Sequence, residues 1–179
     1  LNIAIVAGSN RREATSTKLC RYIAGILASQ GVQAELYNLY EKPLPFYCGD
    51  AEQVSESVEA WKEFLNRADG IILATPEYHG SLTGVLKNAL DFAGFDQFDG
   101  KPVLSISSAG GAVGVSSLQQ LQTIVRNVHG INCPEWISIG GAQRMFTEEG
   151  EPEDAKTRER ILRTVGYFIK MTNLLRPSS

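Results

Sequence analysis

The chain has 179 residues, 43% hydrophobic and 21% charged, a composition that excludes a disordered or collagen-like protein. Its formal net charge of −3 leaves no basic footprint for nucleic acid or an anionic lipid surface. No apolar run approaches the length needed to cross a bilayer.

Leu1–Ala7 reads as a strand, and with no charged region before it no signal peptide is expected at this end. From Thr15 to Gln30 the apolar positions Leu19, Ile23, Ile26 and Leu27 follow helical spacing, with Gly31 as the stop. Val32–Leu39 alternates as a second strand, and a proline-containing loop covers Glu41–Ala51. Val54, Val58, Trp61 and Leu65 stripe the next helix. Gly70–Thr75 is a near-continuous apolar strand, the pattern of one buried on both faces. A helix follows from Leu82 to Ala93, then a fourth strand over Pro102–Ser107 and a helix over Gly114–Val128. The fifth strand is Trp136–Ile139, and Phe146–Asp154 is a surface loop. A long helix over Glu153–Asn173 closes the chain, with an acidic start and a basic end that suit its dipole.

Strict alternation of strand and helix implies one α/β domain over 1–179, a parallel sheet with helices on both faces. Ligands in such folds bind beyond the carboxyl ends of the strands, where the strand order reverses. Three loops are therefore informative. The first, Gly8 to Thr17, holds Ser9, Thr15, Ser16 and Thr17 with Arg11 beside them. Hydroxyls, an arginine fork and a helix amino end together make a monophosphate cradle, although Ser and Thr also simply cap helices. Neither the dinucleotide glycine fingerprint nor a Walker loop is present. The second loop, Pro76-Glu77-Tyr78-His79-Gly80-Ser81, offers amides and an aromatic face to a heterocycle, with His79 reading equally as a solvent-facing turn residue. In the third, Ser108-Ala109-Gly110-Gly111, adjacent glycines allow close backbone approach. Gly140-Gly141 reads as an ordinary loop, and Phe92, Phe95 and Phe98 as a surface cluster suited to an interface. Lys87 and Asp91 stand one helical turn apart, placed to pair.

Three cysteines, Cys20, Cys48 and Cys133, are odd in number and widely spaced, which favours a reducing compartment, the cytoplasm. His79 and His129 lack ligand partners at zinc spacing, so no metal is expected.

Gly8-Ser9-x-Arg11 with its hydroxyl cluster, followed by Pro76-Glu77-Tyr78-His79-Gly80-Ser81-Leu82-Thr83-Gly84-Val85-Leu86-Lys87-Asn88-Ala89-Leu90-Asp91, resembles the NAD(P)H-dependent FMN reductases. This family includes flavin reductases and azo-, quinone- and chromate-reducing flavoproteins. The resemblance implies a flavodoxin-like three-layer sandwich with a five-stranded parallel sheet in the order 2-1-3-4-5. It implies FMN, with Ser9, Arg11, Thr15, Ser16 and Thr17 around the phosphate. Pro76, Glu77, Tyr78, His79, Gly80 and Ser81 would then line the isoalloxazine and ribityl side, and Ser108, Ala109 and Gly110 the other edge of the ring. NADPH or NADH would be co-substrate, small molecules the electron acceptors, and turnover ping-pong with no obligatory acid or base residue. A homodimer or homotetramer is also implied, with the Leu86–Asp91 helix in the contact. A basic residue that some related azoreductases carry near Val113 is absent. The alternative is a flavodoxin-type electron-transfer module that binds FMN without nicotinamide turnover, which the modest charge disfavours. Amides of Tyr78–Gly80 are the expected donors to the reduced cofactor.

Overall fold

In the computed structural model, residues 1–176 are described. Five parallel positions form the sheet, in the order β2-β1-β3-β4-β5, with β6 also on β4. The strands are β1 (Asn2–Ala7), β2 (Gln33–Asn38), β3 (Gly70–Pro76), β4 (Pro102–Ala109), β5 (Ile131–Asn132) and β6 (Ile137–Gly140). The expected order of five positions is present, but the last is split. Ile131–Asn132 pairs with Pro102–Val103, and Ile137–Gly140 pairs with Ile106–Ala109. Pro134, which has no N–H to give a ladder, stands in the break. Trp136 falls outside the strand and is half-buried.

Both faces of the central strands are covered, as their continuous apolar sequences require. Ile3, Ile5, Ile72, Leu104 and Ile106 face α1 (Thr15–Ser29) and α6 (Ala155–Leu175). Ala4, Val6, Ile71, Leu73 and Val103 face the other way, toward α2 (Glu56–Asn66), α3 (Gly84–Asp91) and α5 (Val115–Asn127). Trp61 is fully buried on that second face and donates its indole N–H to the Ala89 carbonyl at 2.9 Å, joining α2 to α3.

Several local expectations change. The helix read from Leu82 starts at Gly84, because Thr83 turns its hydroxyl back to accept from the Leu86 amide and caps it. Val54 lies outside α2 and is exposed, since Ser55 is the cap. A short helix, α4 (Phe95–Phe98), follows α3 and buries Phe98 in the core. The three phenylalanines therefore do not form one exposed patch: Phe92 is half-buried against Tyr47, and Phe95 alone is exposed, its ring tilted against that of His129. The acidic residues before α6 lie outside it; Asp154 caps the helix, and neither its first nor its last turn carries the expected charges. Phe146 and Pro152 bridge across the acidic loop, closing it into a compact turn.

Register places the working end of the sheet. Ala7 lies opposite both Asn38 and Ala74, Pro76 opposite Ser108, and Ala109 opposite Gly140. The loops that begin at Gly8, Glu77 and Gly110 thus emerge side by side from one edge.

Candidate functional site

At the first loop, Ser9, Ser16 and Thr17 are fully buried. The Ser9 hydroxyl accepts the Arg11 amide at 3.1 Å, which curls the loop tightly. Gly8 admits no larger residue there, because a Cβ would sit 2.5 Å from the Ala74 carbonyl oxygen. The cap of α1 is Ala14, with no side-chain hydrogen bond, so the hydroxyls do not serve as helix caps. Ser16 Oγ and Thr17 Oγ1 are buried with no hydrogen-bond partner among the described residues. Buried polar groups are almost always paired, so two adjacent unpartnered hydroxyls at an open helix end are chemistry suited to an anion. Thr15 is half-buried on the same turn, and Arg11 is exposed at its mouth.

The other helix ends are already satisfied. Ser55 caps α2, Thr83 caps α3, and Asp154 caps α6 by accepting the Thr157 amide at 2.8 Å. For α5, whose own cap Gly114 has no side chain, Glu77 reaches across from the second loop. Its Oε2 accepts the Ser117 amide at 3.1 Å and the Ser117 hydroxyl at 2.7 Å. Among the described helices of eight residues or more, α1 alone keeps an uncapped amino end.

The second loop is a tight turn. Tyr78 and Ser81 exchange both backbone hydrogen bonds, at 2.9 and 3.0 Å, around His79 (φ 51°) and Gly80 (φ 73°). Two left-handed residues in succession define a type I′ turn. The Tyr78 amide is thereby used, which corrects the expectation that it is a free donor; His79 and Gly80 keep theirs. His79 is exposed, as a turn residue, and Tyr78 is 39% exposed. Pro76 is buried and Ser81 half-buried.

The third loop is closed at its base through Gly114. Ser107 donates its hydroxyl to the Gly114 carbonyl at 2.9 Å, and the Gly114 amide donates to the Ser138 hydroxyl at 2.8 Å. Gly110 to Val113 stand exposed before this anchor, after buried Ser108 and Ala109. Gly140 is no ordinary loop glycine: a Cβ there would lie 2.3 Å from the Gly111 carbonyl oxygen. Sequence reasoning took Gly140 for an ordinary loop residue and passed over Ser117, Gln120 and Ser138. Ser117 and Gln120 stand three residues apart at the start of α5, the one spacing that signals a shared face toward the second loop.

A groove of about 550 Å³ runs beside the first two loops and α3, lined by Asn10, Phe46, Tyr78, Lys87, Asn88 and Asp91 among others. Its wall includes the expected Lys87–Asp91 pair, at 2.6 Å. A smaller cavity of about 210 Å³ lies at the amino ends of the strands, away from this chemistry. No group of three or more metal-ligating side chains occurs among the described residues.

Sheet order and loop placement define a flavodoxin-like α/β protein with an uncapped helix end at the first strand-to-helix turn. The family model for NADPH-dependent FMN reductases matches residues 1–144. An FMN-dependent NADPH-azoreductase of Staphylococcus aureus is 35% identical over 151 residues, 82% of this chain and 80% of that protein. The chain belongs to the NADPH-dependent FMN reductase family. It is accordingly an FMN-dependent oxidoreductase that uses NAD(P)H. Among solved structures, the flavoenzyme NAD(P)H:(acceptor) oxidoreductase FerB from Paracoccus denitrificans superposes with TM-score 0.85 at 24% identity, over 98% of this chain and 99% of that one. A Streptococcus pneumoniae flavodoxin superposes with TM-score 0.63 at 12% identity, over 95% and 99%. Both show the same fold.

Proposed function

We propose that the FMN phosphate is held at the amino end of α1 by Ser9, Ser16 and Thr17, with Thr15 on the same turn and Arg11 closing the mouth. The observation that carries this reading is the pair of buried, unpartnered hydroxyls at the uncapped amino end of α1. Pro76 to Ser81 and Ser108 to Gly110 line the isoalloxazine. Glu77 contributes its backbone there and not its carboxylate, which is engaged by α5.

When bound, FMN supplies the two-electron chemistry, taking a hydride from NADPH or NADH and delivering two electrons to an acceptor. The protein's part is to bind and orient. The His79 and Gly80 amides give a fixed pair of donors to charge on the ring. No side chain needs to transfer a proton. The groove beside Tyr78 and Asn10 suits flat aromatic acceptors, quinones, azo compounds or free flavin, because it joins apolar Leu39, Leu44 and Phe46 to polar Lys87 and Asn88. Acceptor and nicotinamide would use it in turn, giving ping-pong turnover.

The working unit is a single FMN-binding domain assembled as a homodimer or homotetramer. Support comes from Phe46, Tyr47 and Tyr78, exposed around the groove at 93%, 51% and 39%. The compartment is the cytoplasm, in keeping with three free cysteines. No helix among the described residues is long and apolar enough to cross a membrane.

The test is the visible spectrum of the purified, FMN-loaded protein under anaerobic NADPH. Bleaching, and recovery on adding a quinone or azo dye, supports the reading. A flavin spectrum that neither NADPH nor NADH bleaches sinks it in favour of an electron carrier.

A further inference from the structure

The second loop is clamped from outside by α5, at two points one helical turn apart. Glu77 takes the amide and hydroxyl of Ser117 at 3.1 and 2.7 Å. Gln120 reaches the far side of the turn, where its Nε2 donates to the Gly80 carbonyl at 3.2 Å and its Oε1 accepts from the Ser81 hydroxyl. Between these points lie His79 and Gly80, both left-handed, with their amides free. A non-glycine residue is uncommon in that region and is kept there when its surroundings hold it. His79 makes no side-chain hydrogen bond among the described residues, so the hold on the turn comes from its neighbours. Gln120 itself is exposed on α5 and does not contribute to the core.

We propose that Gln120 is a positioning residue for the reaction. Together with Glu77 it fixes the Tyr78–Ser81 turn in the one conformation that presents the His79 and Gly80 amides to the cofactor, and it touches neither cofactor nor substrate. The inference rests on the proposed place of the ring against this turn. Preorganised donors help most in the state where charge has developed, so loosening the turn penalises the reduced cofactor more than the oxidised one.

The experiment compares the FMN-loaded protein with Gln120→Met, which keeps volume and helix propensity and removes both hydrogen bonds. Gln119→Met, one residue away on the exposed face, is the control. The readouts are the midpoint potential of bound FMN, thermal unfolding, and kcat and KM for NADPH. For Q120M the expected result is a lowered potential and kcat down about fivefold, the worth of one net hydrogen bond, with KM unchanged. Q119M should match the wild type. Gln120→Ala gives a second reading of the same loss, should Met find a new apolar contact. A potential and kcat at wild-type values in both Gln120 variants, whether or not the melting temperature moves, overturns the proposal. Failure of the wild type itself to bind FMN would instead strike the underlying site assignment.

Discussion

Glu77 Oε2 sits 2.7 Å from the hydroxyl of Ser117 and 3.1 Å from its amide, so a carboxylate at the end of β3 caps a helix that begins 38 residues further on, at Val115. That contact has two consequences. It ties two of the three loops at the carboxyl edge into one piece. It also occupies the positive end of α5, while the amino end of α1 keeps no side-chain cap.

The first prediction concerns that open end. Thr17→Val and Ser16→Ala each remove a buried hydroxyl that has no protein partner. The apoprotein should lose no stability, because an unsatisfied buried polar group is a cost and not a support. FMN affinity should fall by about tenfold to a hundredfold for each, the range of a hydrogen bond to a charged group. Fluorescence titration with FMN, alongside denaturant unfolding of the apoprotein, checks both halves.

Gly140→Ala should act on the site from beneath. The new Cβ would lie 2.3 Å from the Gly111 carbonyl oxygen and 2.4 Å from that of Ala112, backbone atoms that cannot simply rotate away. A cost of about 1–3 kcal/mol in urea unfolding is expected, the usual range for overpacking. Bound FMN should also show altered visible absorption, because Gly110 to Val113 must rise. Unchanged stability and spectrum would contradict the packing described.

Thiol chemistry should separate the three cysteines. Cys48 is exposed, whereas Cys20 and Cys133 are buried. Burial pushes the Cys20 thiol up to about 12 from an ordinary 9.0. Since the thiolate is the reactive form, an aromatic disulfide reagent at pH 8 should modify one thiol quickly and the others only on unfolding. Cys48→Ser should abolish the fast phase. The raised group also has a sign in stability: its contribution is complete below pH 9 and is lost as pH rises toward 12, where the unfolded chain ionises first.

Trp61→Ala should be costly, because it empties a fully buried site and removes the 2.9 Å tie from α2 to the Ala89 carbonyl. A loss of about 3–5 kcal/mol is expected from chemical denaturation. Trp61→Phe should recover most of the packing and leave the carbonyl without its donor.

The strands were legible because continuous apolar runs such as Ile71 to Ala74 have few ways to be buried other than between two helical layers. The hydroxyls of the first loop were legible as a group, but their role was not. Ser and Thr at a helix start read equally as caps, and the capping reading falls only on the observation that Ala14 is the cap. Glu77 was found for its position, but the helix cap its side chain makes was not legible, since its partner Ser117 is 40 residues away and no local pattern announces it. Phe98 looked like surface because α4 is too short to show a period; its burial comes from the turn that α4 makes back to α2. The split in the last strand follows from Pro134, but where the chain re-enters the sheet depends on pairing with Ile106–Ala109, a tertiary choice.

The most direct test of the central claim is to compare binding of FMN and riboflavin, which differ only in the phosphate, to the apoprotein by fluorescence quenching. If the amino end of α1 holds that phosphate, FMN binds at least about a hundredfold more tightly, as expected for two or more charge-assisted hydrogen bonds. The S16A/T17V double variant then narrows the gap by weakening FMN alone. Equal affinities for the two flavins in the wild-type protein would contradict the account and place the anion cradle elsewhere.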